Sequence, residues 1–465
     1  MTEGEVVLRS VDDVVRFVDQ RPNTRKSWFV VAIALGGVFA DAYDFASLGV
    51  GIEPLKHEFG LTPMGIGGVT AAMAVGAGLG AIFGGWFTDK IGRYRMFTLD
   101  LIFLIVAAIG AALSVNLPML LGFRFFMGIS VGLDFPVALS FIAEFVNARS
   151  KGGSVNLWQP MWYVAASCTG LSILPFYYLD FGPYLWRIAV GFGAVPALII
   201  LLLRARYMDE SPVWSAQNLG LEDAARVLRK MYGVTVRVVP MPSIETVREK
   251  LNFGVLFSRR FIASTLLATI ICMTQSMEYF AVGFNIPSIS AQLFGGDYLY
   301  AILGAIFFNL FGIVGGTLGV SLTAKLGCRN LAIIGYCLVI LSLTGFWLGG
   351  GSLSLQAMTC LLCLFIFGHS FGPGPQGMTI ATVSYPTEIR GLGSGWGQGM
   401  VRVGSIMGFY FFPLVIAAVG LRMTMMWITL APLCGLLGCL FIRWKPAAAE
   451  SQGDAKGYVG NTKQA

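Results

Sequence analysis

Twelve stretches of this chain are apolar and long enough to cross a bilayer, which takes roughly 20 residues each. They lie near residues 28–52, 64–87, 96–115, 117–146, 156–179, 186–206, 261–290, 298–323, 331–350, 354–381, 393–418 and 422–442. With 56% of its 465 residues hydrophobic and 12% charged, the chain falls outside the soluble globular class. The expectation is an all-α membrane protein of twelve transmembrane helices in two pseudo-symmetric six-helix bundles. In order, these are a cytoplasmic N-terminal segment (1–27), a first bundle (28–206), a cytoplasmic linker (207–260), a second bundle (261–442) and a disordered cytoplasmic tail (443–465). Within the linker, Leu221 to Met231 reads as a short helix rich in Arg226, Arg229 and Lys230.

The formal charge of +7 is a matter of topology. Lys90, Arg93 and Arg95, then Arg149 and Lys151, then Lys325 and Arg329, then Arg390 fall in alternate loops, which puts both termini in the cytoplasm. Nucleic acid is not an expected partner, because no soluble face gathers the basic residues. The segment before Trp28 is polar and mixes Asp12, Asp13 and Asp19 with Arg16, Arg21, Arg25 and Lys26, so it does not read as a cleavable signal. Cys360 and Cys363 have the spacing of a metal or redox pair, yet they sit in an apolar run with no second pair, and no metal is expected. No phosphate-cradling loop, nucleophile triad or metal cluster appears, which argues against an enzyme and against a cofactor.

The first span holds Asp41 and Asp44. A charge at the bilayer centre costs about 2.5–3.5 kcal/mol on insertion scales, so the default reading of an intramembrane acid is functional. A spacing of three places both on one helix face, where they can meet a protein interior or a water cavity.

Between spans two and three, Gly85-Trp86-Phe87-Thr88-Asp89-Lys90-Ile91-Gly92-Arg93 resembles the signature loop of the major facilitator superfamily. The stretch from Glu210 to Trp214 resembles the sugar-porter element after helix six, and Tyr385 to Arg390 the Pro-Thr-Glu-x-Arg element after helix ten. Asp41-Ala42-Tyr43-Asp44, with Arg124, Gly128, Gly132, Asp134, Phe135, Pro136 and Glu144 in helix four, is similar to proton-coupled phosphate symporters and related bacterial metabolite symporters. The resemblance implies proton coupling by Asp41, Asp44 and Asp134 with the bases Arg124 and Arg402. Phosphate members carry Tyr where this chain has Phe135, and Asn where Gly374 follows Phe371-Gly372-Pro373. These departures point to a larger, partly apolar metabolite. Asp134 and Arg124 are too far apart on one straight helix, at about 1.5 Å rise per residue, to bond each other, so each needs another partner.

For substrate contact the candidates are Phe135, Gln159, Trp162, Tyr163, Gln275, Glu278, Tyr279, Asn309, His369 and Gln376. Prolines and glycines after His369 are expected to break helix ten, and broken backbone at membrane depth should line a cavity. Asp89, Arg93, Glu144, Arg149, Glu210, Glu388 and Arg390 are expected at cytoplasmic helix ends, steering the inner gate through charge pairs. The chain thus reads as a monomeric, lipid-embedded proton symporter of the inner membrane for a small anionic metabolite. An uncoupled sugar or polyol facilitator, a phosphate symporter and a transporter-like nutrient sensor are the alternatives.

Overall fold

A computed structural model of the chain describes residues 5–146, 156–239, 253–349, 352–385 and 389–444, so the expected tail after 444 lies outside the described residues. The chain divides into two compact units, Met1–Gly60 with Ala72–Arg248, and Leu61–Ala71 with Glu249–Ala465.

The main helices of the first unit are α2 (Arg25–Phe59), most of α3 (Pro63–Ile91), α4 (Arg93–Ala112), α5 (Leu117–Phe145), α6 (Trp158–Tyr178), α7 (Leu185–Gly191) and α8 (Ala194–Tyr207). At its start, the Thr24 hydroxyl caps α2 by accepting the Ser27 N–H at 3.1 Å; at its end, Gly60 turns out of the helix at φ +58°. The sixth span, expected unbroken from 186, is instead α7 and α8 joined at Phe192–Gly193. A core of Val31, Val38, Phe97, Phe141 and Phe145 holds α2, α4 and α5 together, with Phe97 edge-on to Phe141 at 5.3 Å.

The polar ends of this unit also assemble. Strand β1 (Val6–Leu8) pairs in parallel with β2 (Val236–Val238), in the register Val6 to Val236 and Leu8 to Val238. Around them α1 (Val11–Gln20), α9 (Pro212–Asn218) and α10 (Leu221–Tyr232) enclose a small core of Leu8, Val14, Ala224, Leu228 and Val236. Phe17 meets Tyr232 edge-on at 5.6 Å, and Arg21 lies over both rings. The N-terminal segment and the linker, read from sequence as separate stretches, thus share one hydrophobic cluster.

The second unit contains α11 (Ile262–Glu278), a π-helical turn at Tyr279–Gly283, α12 (Ile286–Leu293), α13 (Tyr298–Leu326), α14 (Cys328–Gly349), α15 (Leu355–Phe371), α16 (Pro373–Val383), α17 (Arg390–Ile428) and α18 (Leu430–Phe441). The expected break after His369 falls at Gly372, with φ −113° and ψ −97°. It sits where α14 crosses so closely that a Cβ on Gly372 would lie 2.6 Å from the Gly335 Cα and the Leu331 carbonyl.

Among the described residues, ten helical stretches are long and apolar enough to span a membrane. One of them, Gly391–Phe441, holds the eleventh and twelfth passes, which meet at Gly420 with φ +76°. The helix Trp158–Tyr178 supplies the remaining pass. The fold is a twelve-helix, two-domain, all-α membrane protein.

Candidate functional site

In the first unit α2 carries Asp41 and Asp44, both fully buried. The Asp44 carboxylate lies over Gly193, at the break between α7 and α8, where a Cβ would strike it. From α5, the buried Arg124 guanidinium donates to the Asp44 main-chain carbonyl at 3.0 Å, which sets a cation beside the acid. Both Asp44 carboxylate oxygens, and Nε and Nη2 of Arg124, have no hydrogen-bond partner among the described residues. Leaving a buried polar group unpaired costs about 1–3 kcal/mol and more when it is charged, so packing alone gives no reason for these atoms to be here.

Asp134, also on α5, has a different base. Its Oδ1 accepts from Nη1 and Nη2 of Arg204 on α8, at 3.2 and 3.3 Å. The same Nη1 lies 3.8 Å from Oδ1 of Asp100 on α4 and donates to the Phe97 carbonyl at 2.9 Å. The guanidinium also rests 4.0 Å from the centre of the Phe97 ring. The separate partners that Asp134 and Arg124 each need are therefore Arg204 for Asp134 and the Asp44 carbonyl for Arg124.

Neither Asp100 nor Arg204 is among the residues expected from the sequence. Asp100 carried a usable signal, since it is an acid inside the third span. Arg204 lies three residues from the end of its helix, where a base reads as an interface anchor, and only the packing of α8 on α4 turns it inward.

In the same unit, Gln159, Trp162 and Tyr163 of α6 are buried, with Trp162 packed on Phe45 of α2 at 5.8 Å between ring centres. Phe135 meets Trp158 edge-on at 5.3 Å.

The second unit has its own polar cluster. Glu278, the last residue of α11, is fully buried, and its Oε1 lies 3.1 Å from Nδ1 of His369 on α15. Tyr279 stacks on the imidazole at 4.9 Å and opens the π-helical turn, a distortion found frequently at functional sites. Gln275 and Asn309 each donate to a carbonyl of their own helix, Cys272 at 3.2 Å and Ala305 at 2.7 Å. Gln376 reaches Thr323 at 2.9 Å. Arg402, on α17, is buried in this unit as well.

Three of the expected gate residues come together at one end of the first unit. Arg93 pairs with Glu144 at 2.7 Å. Glu210 accepts the main-chain N–H groups of Arg93, Tyr94 and Ser211 at 3.0, 3.2 and 3.0 Å. The first two are donors that the start of α4 leaves unsatisfied, so Glu210 caps that helix from a distant segment. Burial raises the Glu210 carboxyl above its ordinary range, and those three N–H groups pull the other way. Arg149 and Glu388, and the side chains of Asp89 and Arg390, lie outside the described residues.

The family model of the Major Facilitator Superfamily matches residues 34–408. The chain belongs to this superfamily. Among superfamily relatives it is 29% identical to the putative metabolite transport protein YaaU of Escherichia coli K12, over 86% of this chain and 88% of that one. It is 27% identical to the inner membrane metabolite transport protein YgcS of the same organism, over 96% and 97%. In structure it is similar to the proton:xylose symporter XylE, with a TM-score of 0.73 and 18% identity over 90% of this chain and 95% of that one, a likeness of fold. This superfamily member is a transporter and not an enzyme.

Proposed function

We propose that this transporter couples proton entry to uptake of a small anionic organic metabolite by alternating access. The observation that carries the reading is the first unit's set of buried acids and bases: Asp44 beside Arg124, and Asp134 on Arg204. An acid that carries a proton must pass through both protonation states, so it needs surroundings that change between dry and wet. A neighbouring cation favours the carboxylate and burial favours the neutral acid, so a shift of either base changes proton affinity. Asp41, Asp44, Asp134, Arg124 and Arg402 are assigned to coupling. Phe135, Gln159, Trp162, Tyr163, Gln275, Glu278, Tyr279, Asn309, His369 and Gln376 are assigned to substrate, and Arg93, Glu144 and Glu210 to the gate. Loop charge supports cytoplasmic termini, and the name of YgcS supports the inner membrane.

The test is reconstitution into proteoliposomes with and without an inward proton gradient, across aromatic acids, other carboxylates, phosphate and sugars. Accumulation of an acid that collapses when the gradient is removed is the expected result, and indifference to the gradient defeats it.

A sugar or polyol facilitator is the second reading. It is favoured by the buried carboxamide oxygens of Gln159, Asn309 and Gln376, which accept no hydrogen bond among the described residues and suit neutral hydroxyl donors. Counterflow that ignores pH and survives both Asp41→Asn and Asp44→Asn would select it.

A further inference from the structure

The cluster of Asp100, Asp134 and Arg204 holds two carboxyl groups and one guanidinium, with side-chain exposures of 1%, 2% and 0%. Nη1 of Arg204 lies 3.8 Å from Asp100 Oδ1 and 3.2 Å from Asp134 Oδ1, so both carboxyls gather on one guanidinium. Oδ2 of each has no donor among the described residues. Arg204 directs Nη1 and Nη2 to Asp134 Oδ1 and the Phe97 carbonyl, and its Nε makes no hydrogen bond among the described residues. Two buried carboxylates on one guanidinium leave an uncompensated negative charge in a dry interior, which a single bound proton removes.

Of the other described charged groups around α4, Lys90 and Arg95 are exposed and Arg124 of α5 is turned to the Asp44 carbonyl. At one end of α4 Arg93 is paired with Glu144; at the other, Arg187 of α7 is paired with Glu58 and donates to the Ala112 and Ser114 carbonyls at 2.8 Å. Those bases are exposed or committed elsewhere, so among the described residues Arg204 is the cation that Asp100 and Asp134 share.

We propose that Asp100 and Asp134 together form a proton-binding site around Arg204, in which one proton joins the two carboxyl groups. With the proton bound, the three side chains sum to zero charge. When it leaves, they carry one net negative charge and α4, α5 and α8 must move apart or admit water. Gly37 of α2 completes the site, because a Cβ there would run into Asp134 Oδ2 and the Arg204 guanidinium. The role in transport rests on the proton-coupled reading above, whereas the proton site itself does not.

Infrared spectra of the purified full chain in detergent at neutral pH test it. The wild type should show a protonated-carboxyl C=O band that Asp100→Asn removes and Asp100→Glu shifts. Thermal unfolding run alongside establishes that the variants are folded. A band that is the same in wild type and folded Asp100→Asn overturns the proposal; should the Asn variant not fold, an unshifted band in Asp100→Glu does so. In proteoliposomes, gradient-driven accumulation by Asp100→Asn should fall to the level that wild type reaches without the gradient. A wild type that ignores the gradient defeats the coupled reading, while the infrared result still decides the proton site.

Discussion

Gly37 has no side chain, and the charged ends of Asp134 and Arg204 occupy the space where one would be. Overpacking a filled interior costs about 1–3 kcal/mol, and here the atoms that must give way are ion-paired and buried. Gly37→Ala should therefore lower the unfolding temperature of the purified protein, where alanine at an open glycine such as Gly68 should not. Breaking a buried ion pair is more costly, at about 3–5 kcal/mol, because the partner charge is left behind. Asp134→Ala should fall at the lower end of that range, since Arg204 keeps Asp100 at 3.8 Å as a second carboxylate. Thermal unfolding of Asp134→Ala, Asp100→Ala and the double variant would show it as a loss greater than the sum of the singles. At this scale the sequence is legible where charge meets lipid: Asp41 and Asp44 stand out because a carboxylate in a bilayer-length apolar run is costly. Their partners do not stand out, because which guanidinium an acid faces is set by helix packing. Arg124 and Arg204 both lie within spans, and only the fold separates their roles.

Among the elements, Glu210 joins two parts of the chain, reaching from the segment after α8 to the start of α4. Its carboxyl, raised from an ordinary 4.5 by burial, holds its proton more tightly in the folded than in the unfolded chain. The stability this contributes is present in full below 4.5 and is lost as pH rises through the raised value. Glu210→Gln, which cannot ionise, should flatten the unfolding temperature against pH across that window, and an unchanged slope would contradict the assignment. Some breaks in the helices are visible in the residues, as at Phe371-Gly372-Pro373, where proline and glycine leave no continuous helix. The π-helical turn at Tyr279–Gly283 is not, because the residues before Gly283 read as ordinary helix and the distortion arises from packing. Strands β1 and β2 are equally hidden, being three residues each and stable only against each other and α1, α9 and α10.

At the scale of the whole molecule, the pairing of β1 with β2 constrains topology independently of loop charge. Residues 6–8 and 236–238 lie on either side of the first bundle, so they share one side of the membrane and the helices between them cross an even number of times. Single cysteines placed at Glu5 and at Arg237, in a background freed of the native cysteines, should react with an impermeant maleimide only from the same face. Labelling from opposite faces would contradict the strand pairing. Twelve passes and two units were legible from the apolar runs alone, because bilayer thickness sets their length. What the runs could not convey is that the polar segments flanking the first bundle fold together.

The strand pair also imposes an order on synthesis. β1 is made before every helix of the first bundle, and its partner emerges only after all of them have been translated. Until then Leu8 and Val14 have no counterpart to bury them. The seal on the first half therefore closes late, when its helices are complete and the second half is still on the ribosome.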